Sequence, residues 1–292
     1  MASSNPFSKY KALVFDCYGT LIDWETGIYD SLKPLFQKSG APTDRRTIID
    51  AFSSVERDLQ GRFPTMRYTD LLAKVYKTLE ARLQNKETPP DVLRDDASTG
   101  TPVLSSAHVA SGTSQVASAA VGTSAEADAD ADAQGPAEAF AQSVAAWQPF
   151  PDTRPALARL SQRFKLVILS NIDRDTIART RAVLERGDPA HAFAFAAVYT
   201  AEDVGTYKPA PEVLAYALER VREEFGVEEG EVLVAAQSVF HDILPAKRRG
   251  LDTAWINRAS AVTGLPEASG VEPTYVFETL GDLAEAVASE SR

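Results

Sequence analysis

One cysteine in 292 residues, Cys17, rules out an internal disulfide and agrees with a reducing compartment. Standing beside Asp16, it reads better as a small buried residue after a strand than as a nucleophile. From Met1 to Tyr10 there is no apolar core of a signal peptide, and no apolar run approaches the length of a membrane span. The expected location is therefore cytoplasmic, with no membrane partner. A basic stripe is also missing, since the run Lys247-Arg248-Arg249 is too short to track a phosphate backbone, and nucleic acid is not expected as a partner.

Aromatic residues are absent between Tyr76 and Phe140. From about Lys86 to Ala139 the composition shifts to Ala, Ser, Thr, Gly and Asp, which cannot bury enough apolar surface to offset its ordering entropy. The tract 86–139 is expected to be a disordered insertion. It holds nine acids against two bases, hence −7 of the formal −11, and the rest of the chain is only mildly acidic. Asp128, Asp130 and Asp132 imitate the start of a calcium loop, but Gly135 arrives too late and no glutamate closes it. His108 is expected to be solvated.

What is present is a 44% hydrophobic chain, able to bury a full core. The apolar run Ala12-Leu-Val-Phe15 reads as a buried strand ending in Asp16, and Gly19 permits a tight turn after it. Two or three amphipathic helices follow. Ile48, Phe52, Val55 and Leu59 recur at helical spacing behind Asp44 as cap, as do Leu72, Val75, Tyr76, Leu79 and Leu83 from Tyr68 onward. A lone strand makes no sheet, so these helices read as an inserted cap whose Trp24, Phe63, Met66 and Tyr68 suit core packing better than a pocket wall. From Phe140 order returns. A helix carries Leu157, Leu160 and Phe164, then strands at 165–169, 196–200, 231–236 and 253–256 alternate with helices at 173–184, 209–225 and 242–249. Residues 274–277 add a sixth strand and 280–287 a closing helix. The expected class is α/β, a doubly wound parallel sheet. Its core takes residues 10–23 and 148–292, and a helical cap takes 24–147.

Such a sheet gathers chemistry at the carboxyl ends of its strands. There stand Asp16, Ser170-Asn171, Lys208 in Gly205-Thr-Tyr-Lys-Pro209, and Asp242 closing Gln237-Ser-Val-Phe-His-Asp242. Beside Lys208 a buried Asp16 is expected to stay ionised, as a nucleophile must. Ser170 suits donation to a substrate oxygen, the amides after Asp16 suit an anion, and Asp242 suits holding or deprotonating a water.

Phe-Asp-Cys-Tyr-Gly-Thr-Leu, Leu-Ser-Asn, Tyr-Lys-Pro, and His-Asp followed by Pro-Ala-Lys resemble, in spacing and order, the four motifs of the haloacid dehalogenase (HAD) superfamily. The chain resembles its type II branch, the L-2-haloacid dehalogenases, loosely over residues 10–84 and closely over 147–260. The discriminating position is Tyr18, where superfamily phosphatases place a second Asp to protonate a leaving alcohol. The resemblance implies a HAD-like Rossmannoid core and displacement of halide from a short (S)-2-haloacid by Asp16. Water would then cleave the aspartyl ester to release the 2-hydroxy acid, with Lys208 holding Asp16 ionised and Asp242 positioning the water. Cys17 and Tyr18, through their amides, with Thr20 and Ser170, would bind the substrate carboxylate or orient the nucleophile. Asn171 matches a residue that contacts halide, and His241 an aromatic that shields it. No cofactor is implied, and the expected partner is a small-molecule acid. A homodimer is one assembly open to the chain.

The departures are specific. Where the dehalogenases carry a serine and an asparagine that hold the water, this chain has Gln237 and Val239. A halide-binding arginine on the first cap helices has two candidates, Arg62 and Arg67. Three other readings stay open: a dehalogenase-like hydrolase of another small acid or ester, a magnesium-dependent phosphatase in which Asp16 and Asp242 share the metal, and a non-catalytic binding protein that keeps the fold.

Overall fold

All four side chains of Ala12–Phe15 (β1) are buried, as a strand covered on both faces requires. Leu13 and Phe15 join an apolar cluster on one face of the sheet, while Ala12 and Val14 join a second cluster on the other. The computed structural model describes residues 6–84, 135–186, 191–258, 261–262 and 270–289. The sheet continues with Lys165–Ser170 (β2), Ala197–Thr200 (β3), Val232–Ala236 (β4), Asp252–Ile256 (β5) and Tyr275–Phe277 (β6). All pairings are parallel, in the order β3-β2-β1-β4-β5-β6. The doubly wound parallel sheet read from the sequence is what the chain forms, including the sixth strand. From β1 the chain builds outward to β2 and β3 on one side and later to β4, β5 and β6 on the other. The crevice where ligands collect in such sheets therefore lies at the carboxyl end of β1.

Among the described residues, four α-helices lie between β1 and the return of the chain to the sheet at Pro149: Trp24–Ser39 (α1), Arg45–Arg62 (α2), Tyr68–Gln84 (α3) and Pro136–Gln142 (α4). Asp23 caps α1 by accepting from the Thr26 amide at 3.2 Å, and Asp44 caps α2 from Thr47 at 3.0 Å. Their inner faces, with Ile28, Leu32, Ile48, Phe52, Leu72 and Val75, merge with the Leu13 and Phe15 cluster. Thr153–Leu160 (α5), Arg174–Glu185 (α6), Ala201–Val204 (α7), Pro211–Phe225 (α8), Leu244–Arg248 (α9) and Leu280–Ser289 (α10) complete the layers. α8 covers the Ala12 and Val14 face through Val213, Ala217 and Val221, and α5 and α10 cover the other. Among the described residues no helix is long and apolar enough to cross a membrane.

The expected insertion at 86–139 falls outside the described residues over 86–134, as do His108, Asp128, Asp130 and Asp132. At its far end the sequence reading needs correction, because α4 begins at Pro136 and not after Ala139. Ala137, Phe140 and Ala141 form an apolar stripe at helical spacing, which the alanine-rich composition conceals. Chain leaving the core and chain returning to it run side by side: Ile22 bridges Pro149 antiparallel, and the Asp23 amide donates to Gln148 O at 2.9 Å. Trp24, Phe63, Met66 and Tyr68 are half-buried against the core cluster.

One helix contact depends on the absence of a side chain. A Cβ on Gly27 of α1 would clash with the buried Trp147 ring, which itself meets Tyr18 edge-on at 5.8 Å. Gly27→Ala is therefore expected to lower stability by about 1–3 kcal/mol despite alanine's better helix propensity. Urea unfolding checks this. A variant as stable as the parent would mean that Trp147 moves aside without cost.

Candidate active site

Because β1 alternates its side chains between faces, Asp16 follows Ala12 and Val14 onto the α8 side, at the strand's carboxyl end. The register sets Phe15 opposite Ile168 and Ala235, so Ser170 and Gln237 project from the same edge. Gly19 adopts φ +96°, and a Cβ there would come within 2.9 Å of Trp24 Nε1, so both the turn and the close approach require glycine. That turn carries Thr20 back over the strand end. Thr20 Oγ1 donates to Asp16 Oδ2 at 2.9 Å and accepts the Gln237 amide at 2.9 Å.

Lys208 enters from the loop after α7, whose helix ends at left-handed Gly205. Its ammonium donates to Asp16 Oδ1 at 3.0 Å and to Asp242 Oδ1 at 2.7 Å. Asn171, just past β2, grips the Lys208 backbone at two points: Oδ1 accepts its N–H at 2.7 Å, and Nδ2 donates to its carbonyl at 3.2 Å. Asn171 thus orients the lysine directly, whatever else it contacts.

The expected helix start at Asp242 also needs correction. Ser238 caps a wide π-type turn at Val239–Ile243 by accepting from the His241 amide, and α9 begins only at Leu244. Held inside that turn, Asp242 is not consumed as a helix cap and its carboxyl reaches Lys208. The same turn sends Val239 into a cluster with Ala236, Ile243 and Trp255. Gln237 contributes its amide to Thr20.

The electrostatics follow from two buried carboxyl groups sharing one ammonium. Burial pulls the Lys208 pKa down, but Asp16 and Asp242 outweigh it and leave it above the ordinary lysine value. One positive charge cannot match two carboxylates. Burial accordingly pushes Asp242 up to about 7, with Lys208 opposing and Asp16 adding to the rise. Burial, then Lys208, brings His241 down to about 4, so its imidazole is neutral at physiological pH. Its Nδ1 lies 3.0 Å from Ser238 Oγ. Burial raises the Cys17 thiol well above its usual range, which removes it as a thiolate nucleophile.

Tyr18 turns its hydroxyl to Thr180 Oγ1 at 2.8 Å, so its contribution to an anion, like that of Cys17, comes through the backbone. Neither amide donates a hydrogen bond among the described residues. Ser170 Oγ and Asp242 Oδ2 are likewise buried without a hydrogen-bond partner among them. The structure thus brings together the Asp16 carboxylate, the Lys208 ammonium, the Asp242 carboxyl and the Thr20 hydroxyl. Asp16, Lys208, His241 and Asp242 line a narrow cleft, with room for about 10 Å³, whose walls include Val14, Leu169, Val213 and Val234. No group of three or more His, Cys, Asp or Glu among the described residues is arranged to hold a metal ion.

Of the two cap arginines, Arg62 pairs with Asp58 on its own helix at 3.3 Å and Arg67 with Asp175 at 2.8 Å. Arg57, also on α2, adds a small lowering of the His241 pKa, after burial and Lys208 and against the opposing Asp16. Its sequence context offers no signal, because Arg57 and Arg62 both lie on the polar face of α2 and only docking of the cap separates them.

The haloacid dehalogenase-like hydrolase family matches residues 10–248. YfnB of Bacillus subtilis (strain 168), described as a candidate HAD-hydrolase, is 29% identical over 127 residues, 44% of this chain and 49% of YfnB. The match thus spans about half of that relative's length. A YfnB crystal structure bound to magnesium aligns at 18% identity and TM-score 0.60, over 96% of this chain and 99% of that one. The L-2-haloacid dehalogenase from Xanthobacter autotrophicus, also seen with chloropropionic acid covalently bound, aligns at 20% identity and TM-score 0.60, over 96% and 98%. The L-2-haloacid dehalogenase RSc1362 aligns at 21% and TM-score 0.62, over 96% and 99%.

Proposed function

As this chain belongs to the haloacid dehalogenase-like hydrolases, we propose that it hydrolyses a short (S)-2-haloacid to the 2-hydroxy acid, with Asp16 as nucleophile. The observation that carries this reading is the Lys208 ammonium held between Asp16 at 3.0 Å and Asp242 at 2.7 Å. Asp16 attacks C2 and forms a C–O bond as the carbon–halogen bond breaks and halide departs with the electron pair. Ser170 Oγ and the amides of Cys17 and Tyr18 bind the substrate carboxylate, while Thr20 orients Asp16. Water then adds to the Asp16 carboxyl carbon, Asp242 takes its proton, and the ester opens to the inverted 2-hydroxy acid and free Asp16.

A halide leaves without a proton, which agrees with a tyrosine at position 18 whose hydroxyl is turned to Thr180. Val239, packed in the apolar cluster behind the turn, cannot hold a water as an asparagine would. That one observation favours a second reading, a hydrolase of the same kind acting on another small acid or ester. The phosphatase draws on the magnesium-bound YfnB structure, but here the two carboxylates that would share the metal already share an ammonium. That shared ammonium weighs against a magnesium ion between them.

Halide release from L-2-chloropropionate, measured beside phosphate release from p-nitrophenyl phosphate with and without magnesium, tests the proposal. Halide release should dominate and ignore magnesium. Magnesium-stimulated phosphate release at ordinary enzyme rates would replace this reading with the phosphatase.

The pH profile adds a further check. Asp242 must be ionised to accept a proton, so turnover should rise as pH increases through about 7. It should then hold a plateau, since Lys208 keeps its proton beyond the ordinary lysine range. Neutral His241 contributes nothing to this limb. Turnover that fell as pH rose through 7 would remove Asp242 as the base.

A further inference from the structure

Arg258 follows β5 and is buried. Its Nη1 donates to Asp152 Oδ1 at 2.6 Å, its Nη2 donates to the Thr20 carbonyl at 2.8 Å, and its guanidinium lies 4.0 Å from the Phe150 ring centre. Asp152 is itself fixed, because its second oxygen accepts from the amides of Leu280 and Gly281 at the start of α10, at 2.9 and 3.2 Å. The guanidinium is thus braced on three sides with one N–H aimed at Thr20. Thr20 is fully buried, so its carbonyl must find a donor within the protein, and Arg258 supplies it. The hydroxyl of the same residue bridges the Gln237 amide and Asp16 Oδ2. Gly19, at φ +96° just before it, gives this turn no stiffness of its own.

We propose that Arg258 is a positioning residue for Asp16, acting through Thr20. Without it the buried Thr20 carbonyl turns toward another donor, the Thr20 hydroxyl swings with it, and Asp16 loses the contact that sets its attack direction. The Arg258 charge is matched by Asp152, so its influence on Asp16 is geometric and not a matter of field. The inference rests on the reading of Asp16 as the nucleophile.

Arg258→Met and Arg258→Lys test it. Misplacing a reacting group by about 1 Å costs on the order of 100-fold in rate. Arg258→Met should therefore lose about 10- to 100-fold in kcat with KM within about threefold and the acid limb of the pH profile unmoved. In its crystal structure the Thr20 Oγ1 to Asp16 Oδ2 distance should exceed the 3.5 Å limit of a hydrogen bond, against 2.9 Å in the parent. Arg258→Lys keeps the charge but cannot reach Asp152 and Thr20 together, and should fall between the two. If Arg258→Met does not fold, the same readouts on Arg258→Lys decide. A folded variant that keeps the Thr20–Asp16 hydrogen bond, or keeps parental kcat, overturns the inference. The crystallographic distance needs no substrate. Failure of the dehalogenase reading would show separately, as a parent protein that releases no halide while the variant still loses that bond.

Discussion

Asp16→Asn is expected to abolish turnover, by about 10⁴-fold or more, while leaving the fold intact. The amide keeps the shape of the carboxylate and can still accept from Thr20 or Lys208, but it lacks the charge and lone-pair basicity that displace a leaving group. Retention of more than a small fraction of parental activity would remove Asp16 from the mechanism. Single-turnover hydrolysis in ¹⁸O-labelled water sharpens the test. If water opens an aspartyl ester, the label enters the Asp16 carboxylate before it enters product. Label found in the product alone would point to direct attack of water on the substrate.

Lys208→Met should cost both activity and stability. Removing the shared ammonium leaves the Asp16 and Asp242 carboxyls in low dielectric with no cation between them. Breaking a buried ion pair from one side typically costs about 3–5 kcal/mol. The cost should depend on pH. With the cation gone, burial and mutual repulsion raise the Asp242 pKa further, and a group with a raised folded pKa destabilises the protein once it is forced to ionise. The variant should therefore be nearer to the parent at about pH 5 than at about pH 8. Adding Asp242→Asn should recover part of the loss at the higher pH, because the neutral amide removes one of the two unmatched charges. Urea unfolding of the single and double variants at both pH values measures this. A penalty equal at pH 5 and 8 would mean that the carboxyls do not face one another once the lysine is removed.

The sheet was legible from the sequence because its strands are short apolar runs bounded by turns, and a strand buried on both faces shows its whole length as hydrophobic. Asp16 was legible for a related reason, since a polar residue at the end of such a run has no apolar environment to occupy, and Lys208 and Asp242 fall in the loops that leave neighbouring strands at the same edge. Residues whose task depends on how separate elements dock were not legible. Asn171 looks like a ligand contact until its amide is seen gripping the Lys208 backbone on both sides. Arg57 and Arg62 are equivalent on α2 until the cap is placed over the core. Asp242 read as the first residue of a helix because a π-type turn leaves no periodic signature in five residues.

The paired segments at Ile22 and Pro149 bear on how this chain can change over evolutionary time. The bridge there, with the Asp23 amide on Gln148 O, holds the two ends of the cap insertion together at the rim of the sheet. Chain added between those ends leaves the register of β1 and β2 untouched, and closing a longer loop adds little entropy for each added residue. Asp16, Lys208 and Asp242 all lie outside that interval, whereas α1 to α4 lie within it. The residues proposed for the chemistry are thus carried apart from the inserted helices, so selection can rewrite those helices without retuning the strand ends.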